Sequence, residues 1–289
     1  YLNILMSALS AILEFLFLGV LGFGIWGAAL ATCLGMMICA LIALYPFLRG
    51  KLLLRFRRPR FSIRLIRQII SCGSPNFLNN IAGRITSILM NAILLRIGGE
   101  NAVSVYGILM YADGFIQPLL YGMCDSLQPA VGYNWGAGNY LRVSAIERCC
   151  FTASGILSVL SAAVLFLFPG QISHLFVGGD STVLLLMAEG ALRLFAATYL
   201  TRWFSFATQS YMLAVEMPVY ASIISVSTAL LFPVILIVAL WPLGLTGIWM
   251  NFAGTALLAA VLALFLLSRF QKEMKRRMEA ASIRESSQE

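Results

Sequence analysis

The sequence predicts an all-α, polytopic helical membrane protein, and three observations carry that prediction. Hydrophobic residues make up 60% of its 289 residues and charged residues only 11%, against about 25% charged in soluble domains; the mean hydropathy is +0.89. The apolar residues come in runs long enough to cross a hydrocarbon core of ~30 Å, which takes ~20 residues of helix, and the alternation expected of a barrel is absent. Finally, Gly24-Ile25-Trp26-Gly27, opening one run, is echoed by Gly244-Leu245-Thr246-Gly247, opening the last. About six membrane-length runs separate the starts of the two pairs. That period predicts two six-helix lobes. The chain would hold the last two helices of the first lobe and the complete second lobe. It begins at Tyr1, inside an apolar stretch, and reads as a carboxy-terminal fragment.

The runs place spans at 2–21, 25–47, 69–95, 102–129, 143–168, 184–212, 219–240 and 246–267. The expected organisation is therefore 1–47, the end of the amino-terminal lobe; 48–68, a basic inter-lobe loop; 69–267, the carboxy-terminal lobe; and 268–289, a basic tail.

The net charge of +8 is distributed in a way that orients these spans. Arg49, Lys51, Arg55, Arg57, Arg58, Arg60, Arg64 and Arg67 crowd one loop, and no acid occurs between Glu14 and Glu100. Six further basic residues, from Arg269 to Arg284, follow the last span. With Arg142 and Arg148, sixteen of the 20 basic residues fall on one side, whereas the opposite loops hold only Arg96. Positive charge marks the cytoplasmic side, so loop 48–68 and the tail are expected in the cytoplasm of a multi-pass plasma-membrane protein. Contact with anionic lipid explains the basic character, and no nucleic-acid partner is expected.

The six cysteines show no metal-ligand or disulfide spacing and read as small buried residues. His174, the only histidine, stands near Gly178-Gly179-Asp180 without a second ligand, so no metal site is expected. Glu189 and Arg193, at i and i+4, read as a local surface pair. There is no HExxH, GxSxG or intramembrane carboxylate dyad, and no enzyme is expected.

Polar residues inside spans need a protein interior or a watery cavity. In the fourth span Tyr106, Met110, Asp113, Gln117, Tyr121, Cys124 and Gln128 share a sector of roughly 80°, and Gly107, Gly114, Pro118 and Gly122 form a second stripe suited to close helix contact. In the third, Asn76, Asn80, Gly83, Arg84, Ser87 and Asn91 share roughly 100°. Asn3, Ser7, Ser10 and Glu14 mark the first span, and Thr198, Arg202, Ser205 and Gln209 the sixth. Such stripes are either interhelical seams or the wall of a pathway. The mid-depth charges favour a pathway for the third and fourth spans. Arg84 and Asp113 lie ~16 Å from the outer ends of antiparallel neighbours, so the two are expected to pair.

Residues Gly122–Asn139 read GMCDSLQPAVGYNWGAGN, and upstream stand Cys72-Gly73-Ser74-Pro75 and Ile97-Gly98-Gly99-Glu100-Asn101-Ala102-Val103. Together they resemble the multidrug and toxic compound extrusion (MATE) family. There the seventh helix opens with Gly-x-Pro, matched by Pro75, and the eighth ends in Gln-Pro before a Gly-Tyr-Asn-x-Gly-Ala turn. The matching positions are Gln128, Pro129, Gly132, Tyr133, Asn134, Gly136 and Ala137. Read physically, Gly132–Asn139 is a tight turn, because Gly and Asn tolerate positive φ. The chain departs from the family at Ser7, where Asp is frequent, at Asp125, where Gln is frequent, and on the third span, where one subgroup has a cation-binding carboxylate and this chain has only Arg84.

The resemblance implies a twelve-helix exporter of two lobes driven by sodium or proton entry. With the polar stripes, where Asp113 offers a charge, the expected function is monomeric secondary active export of amphipathic, cationic small molecules by alternating access, with no cofactor beyond the coupling ion. Its pathway would be lined by Asn76, Asn80, Arg84, Asn91, Tyr106, Met110, Asp113, Gln117, Tyr121, Gln128 and Arg202. Two other functions fit the same residues: a flippase for a lipid-linked anionic substrate, with Arg84 and Arg202 on phosphate, and a non-transporting membrane scaffold or sensor.

Overall fold

Glycine and proline decide where these apolar helices bend, and the bends set the architecture. The structure, a computed structural model, describes residues 2–49, 62–177 and 182–286. All regular elements among the described residues are helical, and the chain divides into two units, Tyr1–Ser62 and Ile63–Glu289. Six helices are long and apolar enough to cross a membrane, beside a shorter apolar helix, Ile4–Val20. The protein is a multi-pass helical membrane protein.

The first unit is a helical pair. Helix α1 (Leu2–Glu14) continues as a π-helical stretch, Phe15–Val20, and α2 is Gly24–Leu48. The buried face of α2 is Gly27, Ala31, Gly35 and Cys39, small residues one turn apart that let the backbones approach. A Cβ on Gly35 would stand 2.6 Å from Ser10 Oγ. On the same seam Thr32 Oγ1 donates to Glu14 Oε1 at 3.3 Å.

The second unit opens with α3 (Ile63–Asp125), whose only non-helical residue is Gly99, at φ 66° and ψ −160°. That conformation is open essentially to glycine alone. It folds α3 into a hairpin, and its two arms are tied by Asn79 Nδ2 to Tyr121 Oη (3.4 Å) and Tyr106 Oη to Ser87 Oγ (3.4 Å). Then follow α4 (Leu127–Gly136), α5 (Tyr140–Leu167), α6 (Pro169–Phe176) and α7 (Thr182–Ala214). The next crossing is α8 (Pro218–Val226), a π-helical stretch (Ser227–Leu231) and α9 (Phe232–Ala239); α10 (Gly244–Ser286) is the last helix among the described residues. With α3 counted as two crossings, the expected spans are all present.

Helix α7 is central, packed against α10, α5 and α3. Its fully buried Phe195 and Tyr199 belong to the main core with Leu109, Leu120 and Trp249. Large apolar residues on the outer faces, such as Phe115, Leu160 and Phe265, are exposed, as lipid-facing positions must be.

The glycine repeat is structural. Gly24 and Gly244 each begin a helix at positive φ, 57° and 59°. Three residues on, Gly27 and Gly247 are pressed against the preceding turn, where a Cβ would come within 2.8 Å of Phe23 Cβ and 2.3 Å of the Leu240 carbonyl.

Several expectations are corrected. The helix that carries the last span runs on to Ser286, so the tail from 268 continues it rather than leaving it as a loop. Helix α3 begins at Ile63, so Arg64 and Arg67 ride on its first turns rather than in the loop. Residues 50–61 and 178–181 lie outside the described residues, and with them most of the basic loop and the Gly178-Gly179-Asp180 turn. A Cβ at Gly107, Gly114 or Gly122 would meet nothing within 4 Å, so that stripe makes no close helix contact among the described residues. Glu189 and Arg193 do not pair. The six cysteines are free, but only Cys39, Cys124 and Cys150 are buried; Cys33, Cys72 and Cys149 are exposed, against the expectation of buried residues.

The expected turn at Gly132–Asn139 is mostly helix. Pro129 has no N–H to give the Asp125 carbonyl, and the helix breaks at Ser126 before resuming as α4. Helix α4 ends in a Schellman cap around Gly138 (φ 74°): Asn139 N–H donates to the Asn134 carbonyl at 2.8 Å and Gly138 N–H to that of Trp135 at 3.1 Å. The Asn134 side chain donates within its own helix, to Ala130. Gly132 and Gly136 are ordinary helical positions, and Tyr133 is exposed. Pro75 has a similar consequence, since Ser74 Oγ donates to the Ser71 carbonyl that the proline leaves without an N–H.

Candidate functional site

Both arms of α3, with α7, the π-helical stretch, α9 and α10, line an open cavity of about 380 Å³, within the range of small-molecule sites. One arm of α3 contributes Asn79, Asn80, Gly83, Arg84, Thr86, Ser87 and Met90, and the other Tyr106, Met110, Asp113 and Gln117. Helix α7 adds Phe195, Thr198 and Arg202, and the remaining wall is Thr228, Ala229, Pro233, Asn251, Phe252, Thr255 and Ala256.

The charged centre lies between α3 and α7. Arg202 Nη1 stands 2.7 Å from Asp113 Oδ1, and Tyr199 Oη donates to the same oxygen. Asp113 is 7% exposed, while Arg202 rests on aromatic faces, its guanidinium 5.1 Å from the Phe206 ring and 5.9 Å from that of Tyr199. Those faces attract a cation. The structure therefore corrects the expected Arg84–Asp113 pair. Arg84 and Asp113 do border one cavity, but the acid belongs to Arg202, because α7 packs against α3 and carries Arg202 to it.

One side of the cavity is aromatic. Tyr106 stacks on Phe252, with centroids 6.1 Å apart, and Phe252 meets Phe195 edge-on at 5.2 Å. The π-helical stretch supplies a polar edge. Pro233 removes the N–H that the Ala229 carbonyl would use in a regular helix, and Thr86 Oγ1 donates to that carbonyl instead. Asn251 Nδ2 donates to the Pro233 carbonyl at 3.0 Å, and Thr255 Oγ1 to Asn251 Oδ1 at 2.9 Å.

Of the sequence-expected pathway residues, the cavity unites Asn80, Arg84, Tyr106, Met110, Asp113, Gln117 and Arg202. The others lie elsewhere. Asn76 is exposed and its carbonyl accepts from Asn80. Asn91 donates to the Ser87 carbonyl beside a separate pocket near Glu100. Tyr121 stacks on Phe206 at 4.3 Å, and Gln128 donates to Asp125 at 2.9 Å. Sequence reasoning missed Tyr199, Thr228, Asn251 and Thr255. The Asn251–Thr255 pair, one turn apart in an otherwise apolar span, is the signal that would have found the last helix. Among the described residues no cluster of His, Cys, Asp and Glu could hold a metal.

A family model described as MatE matches residues 75–238, more than half of the chain and the whole stretch from Pro75 through most of α9. The chain belongs to the MatE family. This is a family of membrane transporters. The multidrug export protein MepA of Staphylococcus aureus is 26% identical over 248 residues, covering 83% of this chain and 54% of that protein. MepA of Staphylococcus saprophyticus is 24% identical with the same coverage. The chain thus spans about half the length of the curated relatives it matches. Among solved structures, a MATE in complex with MaL6 superposes with a TM-score of 0.87 at 22% identity, covering 96% of this chain and 63% of that one. An outward-facing multidrug resistance MATE transporter gives 0.85 at 23% identity, covering 95% and 62%. A MOP superfamily transporter from Pyrococcus furiosus, described as having a binding pocket of reversed polarity, gives 0.85 at 23%, covering 93% and 61%. These likenesses establish the MATE fold.

Proposed function

We propose that this chain forms the greater part of a secondary active exporter of amphipathic small molecules, exchanging them for sodium ions or protons by alternating access. The observation that carries the reading is the cavity, with its charged centre and aromatic face inside membrane-spanning helices. A structural seam needs neither an open volume of that size nor charges at that depth.

The geometry also supports an assignment for ion coupling. Among the described residues, Asp113 is already matched by Arg202, whereas Glu14, within the first apolar helix, has a neutral hydroxyl, Thr32, as its partner. A carboxylate whose hydrogen-bond partner among the described residues is a neutral hydroxyl can exchange sodium or a proton during the cycle. Glu14 is therefore the proposed coupling acid. Localisation follows from charge: the cytoplasmic membrane, with loop 48–68 and the tail inside.

The test is flux of a fluorescent amphiphile in proteoliposomes containing the native protein that carries this sequence, under imposed sodium and pH gradients. Gradient-driven uptake that disappears in Glu14→Gln supports the reading. Uptake that is absent with either gradient, or that Glu14→Gln leaves coupled, refutes it.

The expectation of cationic substrates rested on Asp113 being available, and its pairing with Arg202 weakens that support. The rival reading, a flippase for an anionic amphiphile, gains from the same observation.

A further inference from the structure

Among the described residues, the lining of the cavity holds one cation more than its anions. Asp113 is matched by Arg202 at 2.7 Å and by the Tyr199 hydroxyl, which leaves Arg84. Arg84 is exposed to the cavity and has no ion pair among the described residues. Asp113 is the one acid among the described residues that line the cavity, and Asp125 and Glu147 are outside that lining, accepting from Gln128 and Ser210 and from Gln271. Arg84 and Asp113 are almost equidistant along the chain from the bend at Gly99, so both lie deep within the span. An unmatched guanidinium at that depth is costly and marks a functional site. Its planar donors suit a carboxylate or another oxyanion. Across the cavity the stacked Tyr106 and Phe252 offer an apolar face, and Gln117 and Asn80 offer neutral hydrogen bonds.

We propose that Arg84 anchors the anionic group of the transported molecule, so that the substrates of this cavity are amphipathic aromatic monoanions or zwitterions rather than simple cations. This rests on the transporter reading above and assigns its substrate class. The ring system lies against Tyr106 and Phe252, the anionic head meets Arg84, and the Asp113–Arg202 pair remains closed beside it.

The experiment uses three probes with one aromatic body: pyrenebutyrate, its neutral amide, and pyrenylbutyl trimethylammonium. Binding to the protein in phosphatidylcholine nanodiscs is measured against empty discs, which removes membrane partitioning. Pyrenebutyrate is expected to bind about tenfold more tightly than the amide, the gain of one charge-assisted contact, with the trimethylammonium probe weakest. Arg84→Gln should erase the preference, and Arg84→Lys should keep most of it. Arg96→Gln removes equal charge from the same arm outside the cavity and should keep all of it. If the three probes bind equally, if the cation binds best, or if Arg84→Gln leaves the preference intact, the charge assignment is wrong. If no probe binds above empty discs, the small-molecule cavity itself fails, and the transporter reading fails with it. Loss of pyrenebutyrate binding when phosphatidylglycerol is added would assign Arg84 to a lipid headgroup and overturn the proposal.

Discussion

Breaking the Asp113–Arg202 pair should cost the second unit more than any other single polar change in the cavity. The contact is 2.7 Å long, the two side chains are 10% and 18% exposed, and Tyr199 donates to the same carboxylate oxygen. Removing one partner of a buried pair costs about 3–5 kcal/mol, chiefly because the other charge is stranded. Two features reduce that here. The pair borders an open cavity that water can enter, and Phe206, 5.1 Å from the Arg202 guanidinium, keeps part of its attraction, a contact worth about 0.5–2 kcal/mol. Asp113→Asn should therefore cost about 2–3 kcal/mol, and Arg202→Gln, which also loses the Phe206 contact, about 3–4 kcal/mol. The double variant should be less damaged than the sum of the two, with a coupling of about 1–3 kcal/mol. Reversible unfolding in mixed micelles, titrated with sodium dodecyl sulfate, measures all three. A parallel cycle of Asp113→Asn with Arg84→Gln should be additive within about 0.5 kcal/mol, because Asp113 makes its ion pair with Arg202. Additivity in the first cycle together with coupling in the second would refute the pairing described above.

Three other expectations follow from the backbone and the charge pattern. Gly99→Ala should destabilise the hairpin of α3 by about 1–3 kcal/mol, since only glycine sits comfortably at φ 66°, ψ −160°, while Gly107→Ala, with open space around its Cβ, should be neutral or slightly stabilising in the same unfolding assay. Glu216 holds φ 60° at the end of α7, where Met217 N–H reaches the Met212 carbonyl; Glu216→Gly should raise stability by about 1 kcal/mol, and a loss would mean that the Glu216 side chain itself matters. In a cysteine-free background, single cysteines at Ser62 and Ser282 should resist an impermeant thiol reagent in intact cells while one at Ser181 labels; labelling of the first two before lysis would reverse the topology.

The helical class, the spans and the site's first wall were legible because each leaves a local signature. Runs of apolar residues give crossings, and polar stripes at helical spacing gave Asn80, Arg84, Asp113 and Gln117, all of which line the cavity. The Gly24 and Gly244 echo marked equivalent helix starts, and both glycines do take positive φ. Gly132–Asn139 misled because glycine and asparagine favour turns locally. Inside this chain two of those glycines are simply helical, and one Schellman cap at Gly138 completes the turn.

By itself, the sequence determined that this chain crosses the membrane repeatedly, roughly where the crossings fall, and which faces are too polar for lipid. Those properties depend on neighbours within a few turns, and helical geometry makes them readable. Only the tertiary structure decided which partner Asp113 takes. Depth matching along the α3 hairpin gave Arg84 a fair claim, but α7 packs against α3 and brings Arg202 and Tyr199 to the same oxygen. It also brought the Ala229 carbonyl, exposed by Pro233, opposite Thr86, some 143 residues away in the chain. A charge pairs with whatever reaches it at hydrogen-bond distance, and that is fixed by the packing of distant helices rather than by spacing along one of them.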